Sequence, residues 1–185
     1  MSNNAMPLLP VIYPQYNKNQ EKLHMKTPFK SHVDLDNDKR AELAQMLNKV
    51  LATTIDLRLQ VKQAHWNVKG TQFFARHEMY DRLAEHLTAH SDNVAERVGT
   101  LGGYAMGTVR LSAASSALAE YDLGAVNGRD HTRCLVERFA VYCSTLRDGV
   151  KLSVEQEDPV TEDMLIAILG ETELDMWFLE SHLND

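Results

Sequence analysis

The sequence predicts an all-α domain built as a bundle of four long helices with one long crossover link. Three observations point there. Four segments repeat apolar residues at helical spacing, residues 103–128 form a long connection between the second and third of them, and few helix-breaking residues interrupt the chain. Only five prolines and nine glycines occur in 185 residues that are 44% apolar, so long helices are affordable throughout.

The first long helix is expected from near Leu35 to about Asn67, because Leu43, Leu47, Leu51, Ile55, Leu57 and Val61 return to one face and Gly70 supplies a stop. A second, over about 73–99, carries Tyr80, Leu83, Leu87, Val94, Val98 and Leu101 on one stripe and ends at the Gly102-Gly103 pair. The connection that follows is rich in Gly, Ala and Ser, and residues 115–120 are its candidate for a short helix. Leu135, Phe139, Tyr142, Leu146 and Val150 mark the third long helix. Asp158-Pro159 opens the fourth, with a capping residue followed by proline in the first turn. Along it Leu165, Leu169, Thr172, Met176, Leu179 and Leu183 advance in steps of four and three. Two helix pairs joined by one long link describe a ferritin-like bundle.

Residues 35–185 form this domain in our reading. Residues 1–34 hold Pro7, Pro10, Pro14 and Pro28 in Asn-rich, weakly periodic sequence, and are expected to be a flexible basic arm. Within residues 1–33, Lys18, Lys22, Lys26 and Lys30 face Glu21 alone, which puts +3 there and leaves −10 of the net −7 on the body. No apolar run approaches the ~18 residues of a membrane span, so a cytoplasmic protein without membrane contact is expected. Cys134 and Cys143 stand nine positions apart on opposite sides of an apparent helix, and are expected as buried or free thiols.

His77, Asp81, Asp92 and Glu96 fall within an arc of about 100° on the second helix, yet Asp81 and Asp92 are roughly 16 Å apart along its axis. One helix cannot close such a set around a metal ion. An antiparallel copy, related by a two-fold axis near residues 86–87, brings His77 and Asp81 of one chain beside Asp92 and Glu96 of the other and creates two equivalent sites. The arc lies roughly 140° from the apolar stripe, and the small side chains of Ala84, Thr88, Ser91 and Ala95 surround it. Imidazole with carboxylate suits Fe(II), Mn(II) or Zn(II) and suits Cu(I) poorly. The same spacing also fits an ordinary solvated face. The sole Glu-x-x-His, Glu21–His24, is in the arm, so no ligand pattern points into the bundle. His86 and His90 point away from the arc and are expected as surface histidines; Glu78 and Glu85 are read as solubilising.

The segment KQAHWNVKGTQFFARHEMYDRL, residues 62–83, with HSDNVAERVGTLGG, residues 90–103, and the C-terminal WFLESHL, resembles the Dps family, the mini-ferritins of DNA protection during starvation. The resemblance runs from about residue 35 to 185. It implies a hollow homo-dodecamer built from two-fold dimers, with His65, His77 and Asp81 of one subunit and Asp92 and Glu96 of its mate forming a two-iron ferroxidase centre. Fe(II) would be oxidised by hydrogen peroxide, with oxygen as a further oxidant, and Fe(III) stored as mineral, protecting DNA and cell from oxidative stress. Trp66 is read either as an electron donor or as packing. Asp122 and Asp130 are read either as lining a three-fold pore through which iron enters or as helix-dipole partners. Lys18, Lys22, Lys26 and Lys30 are the candidate DNA contacts, which would be sequence-independent and place the cage at the nucleoid. The rival reading is a DNA-compaction protein with a weak or non-iron metal site.

Overall fold

The computed structural model describes residues 27–184. Five helices make up its regular structure: α1 Asn37–Asn67, α2 Phe73–Thr100, α3 Val109–Ser115, α4 Gly128–Glu155 and α5 Pro159–Ser181. No strand occurs among the described residues, and no helix is long and apolar enough to cross a membrane. Short turns join α1 to α2 and α4 to α5, so each pair folds back on itself, and α1 also packs on α4. Leu43, Leu47, Leu57, Tyr80, Leu83, Phe139, Leu146, Leu165 and Leu179 fill the interior between the pairs. Both cysteines are buried free thiols. Core hydroxyls find partners inside: Tyr142 pairs with Thr54 at 2.9 Å and Tyr80 with Thr132 at 2.7 Å.

The long link departs from expectation. Its short helix ends at Ser115 instead of running through 115–120. Long-range side chains claim the backbone groups that a helix there would need. The Ala117 amide donates to Thr53 Oγ1, while Gln60 Nε2 and Arg138 Nε donate to the Ala119 carbonyl and Arg138 Nη2 to that of Glu120. Those partners come from α1 and α4.

Gly102 ends α2 with φ +84°, and a Cβ there would lie 2.6 Å from the Phe29 carbonyl. Phe29, Arg40 and Ser31 account for the crowding. The Phe29 amide donates to the Gly102 carbonyl at 3.1 Å and Ser31 Oγ to the Thr100 carbonyl at 2.8 Å. The last residues before α1 therefore lie along the end of α2. At the opposite helix start, Asp158 caps α5 by accepting from the amides of Val160 and Thr161, as the Asp-Pro pair suggests.

Candidate metal centre

The last turn of α1 meets the first turns of α2 at two histidines. His65 Nδ1–H donates to the His77 backbone carbonyl at 3.0 Å, and His77 Nδ1–H donates back to the His65 carbonyl at 3.1 Å. A carbonyl can only accept, so Nδ1 carries the proton in both rings and each Nε2 keeps its lone pair. The rings stack with centroids 3.7 Å apart, and Phe73 tilts against His77 at 5.1 Å. Imidazoles that bind metals are commonly held this way by the other nitrogen, which fixes tautomer and orientation before any ion arrives.

Asp81 follows one turn after His77, with Oδ1 4.0 Å from His65 Nδ1. Lys62 Nζ donates to the same oxygen at 2.6 Å. That hydrogen bond, reinforced by the ammonium charge, holds the Asp81 carboxyl below the ordinary carboxylate range. Asp92 and Glu96 are exposed further along α2, and neither forms a hydrogen bond or ion pair among the described residues. A groove of 590 Å³ between α1 and α2 has Leu51, Ile55, Thr88, Ala95 and Asp92 in its walls. Within one subunit no three His, Cys, Asp or Glu side chains among the described residues converge on a position that would hold a metal ion. The structure thus stacks His65 on His77 with Asp81 alongside, three residues that close no site by themselves, and leaves Asp92 and Glu96 apart from them.

A family model described as a Ferritin-like domain matches residues 44–185. The DNA protection during starvation protein of Agrobacterium fabrum is 37% identical over 161 residues, which is 87% of this chain and 99% of that one. The chain belongs to the Dps family. DpsC from Streptomyces coelicolor matches the fold with a TM-score of 0.81 at 33% identity, covering 84% of this chain and 91% of its own. Dps from Vibrio cholerae O1, described as a member of a broad superfamily of ferritin-like diiron-carboxylate proteins, matches with a TM-score of 0.78 at 26% identity over 84% of this chain and 97% of that one.

In this Dps subunit Trp66 adjoins buried His65 but is itself 60% exposed, so it is not part of the subunit core. Asp122 and Asp130 do come together, lining one small cavity of 140 Å³ with Arg133, Glu137 and Arg138. Each acid has a local role as well. Asp122 Oδ1 accepts from the Gly124 amide, and Asp130 sits in the first turn of α4, 3.8 Å from Arg133. Lys30 is exposed; Lys18, Lys22 and Lys26, like the Glu21–His24 pair, lie outside the described residues.

His86 and His90 are not surface histidines. His90 is 3% exposed and its Nε2–H donates to Glu171 at 2.6 Å, while half-buried His86 donates from Nδ1 to buried Asp175 at 2.9 Å. These bonds tie α2 to α5. Burial holds the His90 imidazole below its usual range and pushes the Asp175 carboxyl up. The helical count contained the signal, since His90 stands only about 50° from the centre of the apolar stripe. Measuring those residues from the ligand arc alone concealed it.

Proposed function

We propose that two subunits related by a two-fold axis complete a ferroxidase centre, with His65, His77 and Asp81 from one and Asp92 and Glu96 from the other. The reciprocal clamp of His65 and His77 carries this reading: each ring is held through Nδ1, which leaves Nε2 as its donor atom, and the ionised Asp81 carboxylate lies 4.0 Å from the His65 ring. Two imidazoles and three carboxylates suit Fe(II) and become better ligands for Fe(III), because anionic oxygen donors stabilise the higher charge. Zn or Mn could occupy the same donors. Two Fe(II) give one electron each to one hydrogen peroxide, so neither is left to form hydroxyl radical; oxygen is a slower oxidant in this reading. Ferric product is stored as mineral inside a dodecameric cage, and cell and DNA are spared the oxidant.

The groove beside Asp92 and the small residues around it let the partner helix approach closely enough to share ligands. Asp122 and Asp130 attract the cation towards the cage, and Trp66 stands beside the centre as an electron donor. Sequence-independent DNA contact by Lys18, Lys22, Lys26 and Lys30 would add protection that falls steeply with salt. Compaction of DNA without iron chemistry is the competing function.

The deciding experiment loads the assembly anaerobically with Fe(II), adds stoichiometric peroxide and follows ferric absorbance, with Asp92→Ala/Glu96→Ala alongside. Fast oxidation to soluble mineral in the parent alone supports the centre, whereas matching protein-free rates in both would remove it. A second expectation concerns Lys62, whose ammonium competes with a cation for Asp81. Lys62→Gln should tighten Fe(II) binding by up to about fivefold, the equivalent of ~1 kcal/mol for a half-exposed ion pair. Anaerobic titration calorimetry reads the change directly, and weaker binding in the variant would show that Lys62 supports the site.

A further inference from the structure

We infer that Tyr121 and His131 form a one-electron relay, in which the buried phenol yields an electron to a strong oxidant while its proton passes to the imidazole. The inference rests on the proposed ferroxidase centre as the natural source of that oxidant.

Tyr121 Oη lies 2.6 Å from His131 Nδ1, with the two rings 6.1 Å apart and 22° from parallel. Both residues are buried, at 5% and 1% exposure. A buried phenol is hard to oxidise by itself, since the cation radical left behind is strongly acidic and has no water to take its proton. A base already hydrogen-bonded to the hydroxyl removes that obstacle. With the imidazole proton on Nε2, the Tyr121 hydroxyl donates to Nδ1 and that nitrogen can take its proton, while burial disfavours the charged form of both groups beforehand.

A second tyrosine provides an internal comparison. Tyr80 Oη pairs at 2.7 Å with Thr132 Oγ1, the residue next to His131, so successive positions at the start of α4 hold the two phenols. Threonine cannot take up a proton, whereas histidine can. Tyr80 directly precedes Asp81 and is close enough to Tyr121 to influence it electrostatically. His131 in turn feels Asn67 and Lys69, just beyond His65 at the end of α1. The pair therefore adjoins both segments that carry the first three iron ligands.

The relay matters when only one Fe(II) is bound at the proposed centre. One Fe(II) reduces one hydrogen peroxide to hydroxide and a hydroxyl radical. Tyr121 supplies the second electron, converting the radical to a second hydroxide, and its proton moves to His131 Nδ1. A neutral phenoxyl and an imidazolium remain. The next Fe(II) to arrive returns an electron to the phenoxyl, the proton goes back, and the resting pair is restored. The oxidising equivalent is thus held inside the protein until iron can meet it.

The test uses the full assembly carrying ring-deuterated tyrosine, given less than one Fe(II) per site, mixed with peroxide and frozen for electron paramagnetic resonance. A tyrosyl signal narrowed by deuteration is expected. Tyr121→Phe should reduce it by about fivefold or more while Tyr80→Phe leaves it unchanged, and His131→Gln should shorten its lifetime. In a parallel arm, iron-free assembly is oxidised by photogenerated ruthenium(III) tris-bipyridine, which needs no iron centre. A Tyr121-dependent radical there, without iron oxidation in the first arm, supports the relay and sinks the ferroxidase reading. If the parent yields no tyrosyl signal in either arm, or Tyr121→Phe retains the full signal, the relay is overturned.

Discussion

Two inactive chains mixed in equal amounts, one with His77→Ala/Asp81→Ala and the other with Asp92→Ala/Glu96→Ala, will together recover about a quarter of the parental Fe(II) oxidation rate. In the proposed centre each half-site lies on a different chain, so a mixed dimer has one centre lacking all four of these ligands and one centre with all of them. Random pairing makes half the dimers mixed, which leaves about one centre in four intact. Each variant by itself should be slower than the parent by more than ~10²-fold, because losing even an outer partner of a metal ligand costs metal sites 10–100-fold. Stopped-flow ferric absorbance after co-refolding reads the recovered rate. No recovery, despite mixed assemblies seen by native mass spectrometry, would place both halves of the centre in one chain.

Asp158→Ala should destabilise the protein by about 3–5 kcal/mol, the usual cost of breaking a buried ion pair from one side. Asp158 Oδ1 and Oδ2 accept from Arg97 Nη2 at 2.8 and 2.7 Å, with the carboxylate side chain only 3% exposed. The same carboxylate caps α5 and takes a short hydrogen bond from the Thr161 hydroxyl, and Arg97 Nε donates to Thr161 Oγ1 at 2.8 Å. Alanine would strand the Arg97 charge and expose the first amides of α5. Because Arg97 follows Glu96, the clamp also fixes the end of α2 that carries the second half of the proposed centre.

The pH dependence of that clamp has a definite sign. Burial alone would raise the Asp158 carboxyl, but hydrogen bonds from Thr161 and Arg97 outweigh it and hold it below the ordinary range. A carboxyl depressed in the fold contributes stability above its unfolded value, near pH 4, and loses it as pH falls through the folded value. Denaturant midpoints at fixed protein concentration should fall in acid for the parent and change less for Asp158→Ala. Equal acid sensitivity in both would mean that other carboxylates govern the response.

Much of this molecule was legible in the chain because a helix converts sequence spacing into angle. The period and its punctuation assigned four long helices, the stops at Gly70 and Gly102, the cap at Asp158, and a candidate ligand arc that avoids the apolar stripe; the His-Trp-Asn and His-Glu-Met-x-Asp segments carried the family. Period alone says nothing about what another helix presents. Arg97 as the partner of Asp158, Lys62 on Asp81, and Glu171 and Asp175 beneath His90 and His86 all come from elements distant in sequence. The shift of the short helix has the same origin, since Thr53, Gln60 and Arg138 compete successfully for its backbone.

The sequence by itself determined the helices, their buried faces and the set of candidate metal ligands, all properties of one segment at a time. Only the tertiary structure decided which nitrogen of His65 and His77 remains free, that His90 is buried, and that Tyr121 rather than Tyr80 is given a base. Each of those depends on a hydrogen-bond partner brought within 3.1 Å by packing, where burial makes the partner's identity decide the chemistry.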